Sequence, residues 1–319
     1  MSTPLSATGV SGPGRGVVWA AATALSYSSW AIVGRNLLDN LGIASMLLWR
    51  FGLASIVLWL ILAVRRPVGG VRTTGVSPVV SLVLGAVFGA LVFVGFLSLE
   101  RLDVSVYVVV LYVYPVLVVV ASSLLGHRVA PLTWLALALV MVGIVLTVPD
   151  LFSGVGSVDV TGLLLALGQA VMFAAFLTVN GRVIPEHADG VVTAAWTVLG
   201  AAIAMAPLVV WQGLAVPDSG RLVVEVALFA LVPTVISNIC FFRALRYVAP
   251  GIVAMVLTLE VALTILWSSL LLDERLRGVQ YVGAGVVVMA VLLAQWVALR
   301  DARQRSVPGL ETLGAAPVP

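Results

Sequence analysis

Apolar runs of about 20 residues follow one another along almost the whole chain, separated by short connections that hold most of the charge. The hydrocarbon core of a bilayer is about 30 Å thick and takes about 20 apolar residues of α-helix to cross. Ten runs of that kind are legible: Gly16–Arg35, Ala44–Val64, Pro78–Leu99, Val104–Leu125, Thr133–Val148, Thr161–Arg182, Val191–Trp211, Val223–Phe242, Gly251–Leu272 and Val279–Leu299. The fifth is short. Pro and Gly punctuate the joints, as at Pro67, Gly126, Pro149, Pro185, Pro217 and Pro250. Composition excludes the alternatives. The chain is 61% hydrophobic and 10% charged, whereas a soluble domain has about 45–50% and about 25%. A water-soluble globule has no surface for so much Val, Leu and Ala. Disorder fails on the same figures. The predicted fold class is an all-α polytopic membrane protein with ten transmembrane helices. Residues 1–15 and 301–319 read as disordered tails rich in small and polar residues. The first run lacks a basic leader beyond Arg15 and is long enough to span, so it is expected to be retained as a helix.

All 17 basic residues are Arg, and they form no stripe, so nucleic acid is not an expected partner. Their placement works better as a topology signal. With the N-terminus in the cytoplasm, Arg15, Arg65, Arg66, Arg72, Arg128, Arg182, Arg243, Arg246, Arg300, Arg303 and Arg305 lie inside. Arg35, Arg101, Arg221, Arg275 and Arg277 lie outside. The reverse orientation inverts that bias, so both termini are expected in the cytoplasm of a plasma-membrane (cell inner membrane) protein. Trp19, Trp49, Trp59, Trp134, Trp211, Trp267 and Trp296 sit near run ends, as interfacial anchors do. The single cysteine, Cys240, reads as a small buried hydrophobe. With two His and one Cys, no metal site of His/Cys type can be assembled.

The two halves echo each other at an offset of about 147 residues. Gly34-Arg35 matches Gly181-Arg182, Trp49 matches Trp196, and Arg128 matches Arg275. Around the third and fourth runs the offset slips to 146 and 145. There Phe96-x-x-Leu99 matches Phe242-x-x-Leu245, and Pro115 matches Glu260. The expected organisation is a five-helix repeat over 16–150 and a second over 151–300. Five is odd, so the second repeat enters the membrane from the opposite face. Inverted repeats are a transporter architecture, because two related halves can exchange roles about one central site.

Several of these residues carry a family resemblance. They are Phe242-Arg243-Ala244-Leu245-Arg246-Tyr247, Glu260, Asp273-Glu274-Arg275-Leu276 and Gly283 in the second half, and Arg50, Phe96-x-x-Leu99, Pro115 and Gly143 in the first. The chain resembles ten-helix EamA-type transporters of the drug/metabolite transporter superfamily, over about Gly16–Leu299. It departs from the pattern where His127 stands opposite Glu274. The resemblance implies movement of small metabolites, such as amino acids or their relatives, through a central cavity, with export as the expected direction.

Ionisable groups inside the bilayer cost about 2.5–3.5 kcal/mol each on insertion scales, so they mark function by default. Glu260 lies near the middle of the ninth run, with Thr264 one turn on. It reads as a proton-coupling or amine-binding carboxylate, or as a structural partner of Arg50. Arg50, a third of the way into the second run, is long enough to snorkel outward. Gln169, Phe173, Phe176 and Asn180 form one helical stripe. Thr234 and Asn238 form another, and Tyr27 with Trp30 a third. Tyr107, Tyr112 and Tyr114 gather in the fourth run, where Pro115 removes a helix bond. The plainer reading of these polar groups is interhelical glue. Gly85-x-x-x-Gly89 and Gly200-x-x-x-Ala204 permit close approach, either within the chain or in a homodimer. The candidate substrate or coupling residues are therefore Glu260, Arg50, Asn180, Asn238, Tyr27, Trp30, Tyr107, Tyr112, Gln169 and Thr264.

The expected function is a secondary transporter working by alternating access in the lipid bilayer on a small-molecule substrate. No Walker-type phosphate loop is present, so no ATP or other cofactor is expected, and a proton gradient is an allowed coupling source. A channel-like or facilitative protein is the main alternative. A polytopic enzyme is disfavoured, since the runs lack His and hold one acid away from their ends, Glu260.

Overall fold

The computed structural model describes residues 12–65, 77–102, 104–126, 129–147, 159–185, 188–271 and 277–305. Every regular element among them is helical. In chain order they are α1 (Gly12–Ser28), α2 (Trp30–Val64), α3 (Pro78–Leu99), α4 (Val104–Leu111), α5 (Tyr114–Leu124), α6 (Pro131–Thr147), α7 (Val160–Val183) and α8 (Gly190–Gln212). Then come α9 (Gly220–Ala230), a π-helical turn (Leu231–Ile236), α10 (Ser237–Leu245), α11 (Pro250–Leu257), α12 (Leu259–Leu271) and α13 (Gly278–Arg305). Helix thus reaches into both predicted tails, at Gly12 and at Arg305. Among the described residues, six helical stretches are long and apolar enough to cross a bilayer, and Pro131–Thr147, Pro250–Thr264 and Gly278–Ala294 are shorter apolar ones. The surface matches lipid: Val83, Leu164, Ile203 and Val210 are all exposed. Only helices or closed barrels satisfy their backbone in hydrocarbon. The chain is a multi-pass all-α membrane protein.

Sequence sets the joints. α2 bends at Gly42, whose φ of 67° is open to glycine at little cost, and so holds two legs. Asp159, Asp189 and Ser219 accept backbone N–H bonds at the starts of α7, α8 and α9. Pro78 and Pro250 occupy first-turn positions where a missing N–H costs nothing.

The bundle has two distinct ends. At the proximal end, Gly16 faces Tyr247 and Val248, Gly181 faces Pro250, and Gly190 faces Arg243. Arg65 pairs there with Asp189 at 3.5 Å. At the distal end, Gly162 faces Leu102, Gly283 faces Thr147, and Arg101 pairs with Asp159 at 3.7 Å. The helices that match across the offset run antiparallel. In α2 and α8, Arg65 meets Asp189 at one end and Trp59 meets Trp196 a turn or two further in. At the other end Ser45 bonds the Ala215 N–H. In α6 and α13, Gly143 faces Val287 while Thr147 faces Gly283.

The two small-residue runs meet each other. A Cβ on Gly85 would collide with the Thr197 carbonyl oxygen, and one on Gly200 with that of Leu82. Both runs are consumed by packing α3 on α8 within the chain. The tryptophans near run ends differ in their surroundings. Trp211 is exposed, but the Trp267 indole donates to Ser28 Oγ at 2.9 Å and Trp49 to the Ala215 carbonyl at 2.9 Å. Cys240 is buried.

Candidate functional site

Four helical lines are interrupted around the bundle's middle. α1 gives way to α2 at Ser29, α4 to α5 at Tyr112 and Val113, α9 to α10 through the π-turn, and α11 to α12 at Thr258. Two of the breaks have a local cause in proline. Pro115 cannot donate to the Leu111 carbonyl, so the helix restarts at Tyr114. Pro233 likewise leaves the Phe229 carbonyl without its α-helical donor. The Thr234 hydroxyl donates to that carbonyl instead, at 3.2 Å. Non-helical backbone at membrane depth is tolerated where it is buried in protein or lines a cavity.

A cavity of about 280 Å³ opens among these breaks. It extends from Phe88, halfway along α3, to Leu99 and Thr147 at the distal ends of α3 and α6. Glu260 lies on its wall at the first turn of α12, and its Oε1 accepts from the Trp30 indole N–H at 2.8 Å. The Tyr112 hydroxyl bonds the same carboxyl group. Trp30 also meets the Phe96 ring edge-on at 5.9 Å. Also on the lining, the Tyr107 hydroxyl donates to Gln169 Oε1 at 2.9 Å. Tyr27 and Thr264 complete the polar lining with Arg50.

Arg50 does not snorkel. It is 5% exposed, with Nε donating to Thr234 Oγ1 at 2.8 Å and Nη2 to the Pro233 carbonyl at 3.1 Å. Its guanidinium lies 4.7 Å from the Phe229 ring centroid. The reason is the π-turn, which presents a hydroxyl and a carbonyl where a regular helix offers neither. No ion pair joins Arg50 to Glu260, so the two share a cavity without pairing.

Eight of the ten candidates thus line one cavity, and Asn180 and Asn238 do not. The cavity ends in rings: Phe88 stacks on Phe176 at 5.3 Å and Phe176 on Phe241 at 5.9 Å. Asn180 lies one turn past Phe176 toward the proximal end, its Nδ2 bonded to the Phe176 carbonyl. Asn238 follows the π-turn, its Nδ2 bonded to the Thr234 carbonyl. Neither amide oxygen has a partner. The reading from sequence missed Phe88, Leu91, Val92, Leu99, Val108 and Thr147 as lining residues. Apart from Thr147, their composition is that of any lipid-facing or core residue, so no signal marked them.

Comparison with known proteins agrees with this geometry. The sequence pattern described as the EamA-like transporter family matches residues 14–148 and again 160–296. No curated protein sequence matches the chain. One solved structure, titled only "Crystal structure of protein", is similar in fold with a TM-score of 0.77. It is 18% identical, over 90% of this chain and 99% of that one.

Proposed function

The chain belongs to the EamA-like transporter family, and from that premise we propose that it is a secondary transporter of small organic metabolites, amino acids or their relatives foremost. It works by alternating access in the plasma membrane, as two inverted five-helix repeats. The antiparallel packing of offset-matched helices supports the inversion, since a two-fold axis along the membrane normal would leave them parallel. α1 starts at the proximal end and α13, antiparallel to α6, runs back toward it. With both termini in the cytoplasm, the cavity reaches toward the outside.

The observation that carries this reading is Glu260. It is a carboxyl group at membrane depth, bonded to Trp30 and Tyr112 but paired with no cation among the described residues, and it faces a cavity on broken helices. A solute ammonium group fits it. Arg50 uses two of its five N–H groups on the π-turn, which leaves an edge for a solute carboxylate. Tyr27, Trp30, Phe96, Tyr107 and Phe173 suit an aromatic or apolar body. The volume sits at the low edge of ordinary small-molecule sites, about 300–1,000 Å³, and so fits one metabolite rather than a peptide. Glu260 is also the group through which a proton gradient would couple.

A thermal-shift screen of the purified protein against a metabolite library tests the assignment. Zwitterions with an aromatic or branched apolar side chain should raise the melting temperature most. If the best stabilisers carry no charged group, the zwitterion assignment fails.

A further inference from the structure

The repeat offsets do more than relate the halves: they say which residues would line a cavity opened from the other face. Lining residues of α3, α4 and the break after α4 have mates in the second half; Phe88 maps at the offset of 146 to Thr234, and Tyr107 and Leu111 map at 145 to Ile252 and Val256, of which Ile252 is half-buried. At the offset of 146, Leu91, Val92, Phe96 and Leu99 correspond to Ser237, Asn238, Phe242 and Leu245. At 145, Val108 and Tyr112 correspond to Val253 and Leu257. The offset of 145 also carries the break at Tyr112 and Val113 onto Leu257 and Thr258, where α11 gives way to α12. The six mates of Leu91, Val92, Phe96, Leu99, Val108 and Tyr112 are buried, none more than 8% exposed. They lie on α10 and α11, which meet the proximal end, opposite the end where α3 finishes. Five of the six are packed and satisfied. Asn238 is 1% exposed and its Oδ1 accepts no hydrogen bond. Buried polar atoms in native proteins are almost always bonded, so an orphan calls for a reason.

We propose that Asn238 is the polar contact of a second solute site, which opens on the proximal face when the distal cavity closes. Its ligand is an N–H or O–H donor, the ammonium or hydroxyl end of the same solute. The inference rests on the alternating-access reading above. The two sites differ in chemistry. Tyr107, Tyr112, Tyr27 and Trp30 in the distal cavity have Ile252, Leu257, Ala174 and Leu177 as mates. The proximal site is therefore aliphatic where the distal one is aromatic, and Asn238 stands where the distal wall has Val92. Asn238 gains in that state the donor it lacks here.

The test uses the chain's single cysteine. Cys240→Ala gives a cysteine-free background in the full-length protein. Single cysteines are then placed at Thr147, in the distal mouth, and at Asn238. Each is treated with a small membrane-impermeant methanethiosulfonate in sealed cells and in inside-out vesicles. Leu245→Cys, at the proximal rim of the second set, reads the same cavity should the Asn238 variant fail to fold. The expected result is modification of Thr147→Cys from the distal face alone and of Asn238→Cys or Leu245→Cys from the proximal face alone. If Thr147→Cys reacts from its own face while the other two react from neither face, or from that same face, the second site does not exist and the distal cavity stands. If Thr147→Cys reacts from neither face, the distal cavity itself falls, and the second site with it.

Discussion

The two halves make the same helix crossing twice, with opposite materials. α8 crosses α3 through glycine, and at Gly85 and Gly200 one backbone lies directly on the other. The offset-matched crossing, α2 over α9 and the π-turn, is bridged by a charged side chain: Arg50 reaches Thr234 and Pro233 and lies over Phe229. At the offset of 147, Arg50 corresponds to Thr197, the residue whose carbonyl bears on Gly85. Where glycine meets backbone, no side chain can yield, so that crossing is a stiff seam. Where a long side chain spans the gap, the distance is set by hydrogen bonds that can be exchanged. The cavity, with Glu260 and Arg50 on its walls, adjoins the second kind. One crossing is held by backbone contact and its offset-matched counterpart by side-chain hydrogen bonds.

That contrast can be broken most severely at Gly85. Gly85→Val places carbon where the Thr197 carbonyl already lies, and overpacking against backbone should cost about 3 kcal/mol, the upper end of such effects. Loss of the monodisperse peak in size-exclusion chromatography would show it, and a normally folded Gly85→Val protein would refute the stiff seam. At the other crossing, Arg50→Leu removes charge-assisted hydrogen bonds worth about 2 kcal/mol. Arg50→Lys should recover less than half of that, because an ammonium lacks the planar fork. Melting temperatures of the two variants check the order, and an Arg50→Lys protein as stable as wild type would mean that charge alone matters there. Trp30→Phe deletes one donor to the Glu260 carboxylate and should cost about 1.5 kcal/mol, with a fall in solute affinity seen as a smaller thermal shift at fixed ligand. The smallest effect is at the rim of the stiff half, where Arg101 and Asp159 tie the end of α3 to the start of α7. The Asp159 carboxyl is held below its ordinary value, chiefly by the Gly162 N–H, with the Thr161 N–H and Arg101 adding to it. A depressed folded-state pKa adds stability above the unfolded value of about 3.9 and loses it as pH falls through the folded value. The melting-temperature gap between wild type and Asp159→Asn should therefore be slight near neutrality and close as the pH drops below about 4.

How far the sequence can be read follows from what each residue type can be used for. An acid such as Glu260, or Tyr107 and Gln169 inside apolar runs, has few uses at membrane depth, and these do line the cavity. Phe88 and Leu91 line it equally, but an apolar residue in an apolar run carries no mark of which neighbour it faces. Asn180 shares a helical stripe with Gln169, and the stripe gives direction without depth. Only the Phe88–Phe176–Phe241 stack shows where the cavity stops. Arg50 was legible as a rare charge, yet its partner was not, because the π-turn that receives it arises from Pro233 on a helix 184 residues away in the Arg50–Thr234 pair. The glycine runs were legible as close-packing surfaces, but whether they faced each other or a second copy was not.

Flux through Glu260→Gln tests the central claim most directly. Wild type and variant are reconstituted in proteoliposomes, and uptake is followed for the metabolite that most stabilises the wild-type protein. On the function proposed above the carboxylate anchors the solute, so flux should fall by more than about tenfold, the worth of one 1.4 kcal/mol contact, while elution and melting in the absence of solute stay unchanged. Wild-type flux in a well-folded Glu260→Gln protein would remove this carboxylate, and the mechanism built on it, from the transport cycle.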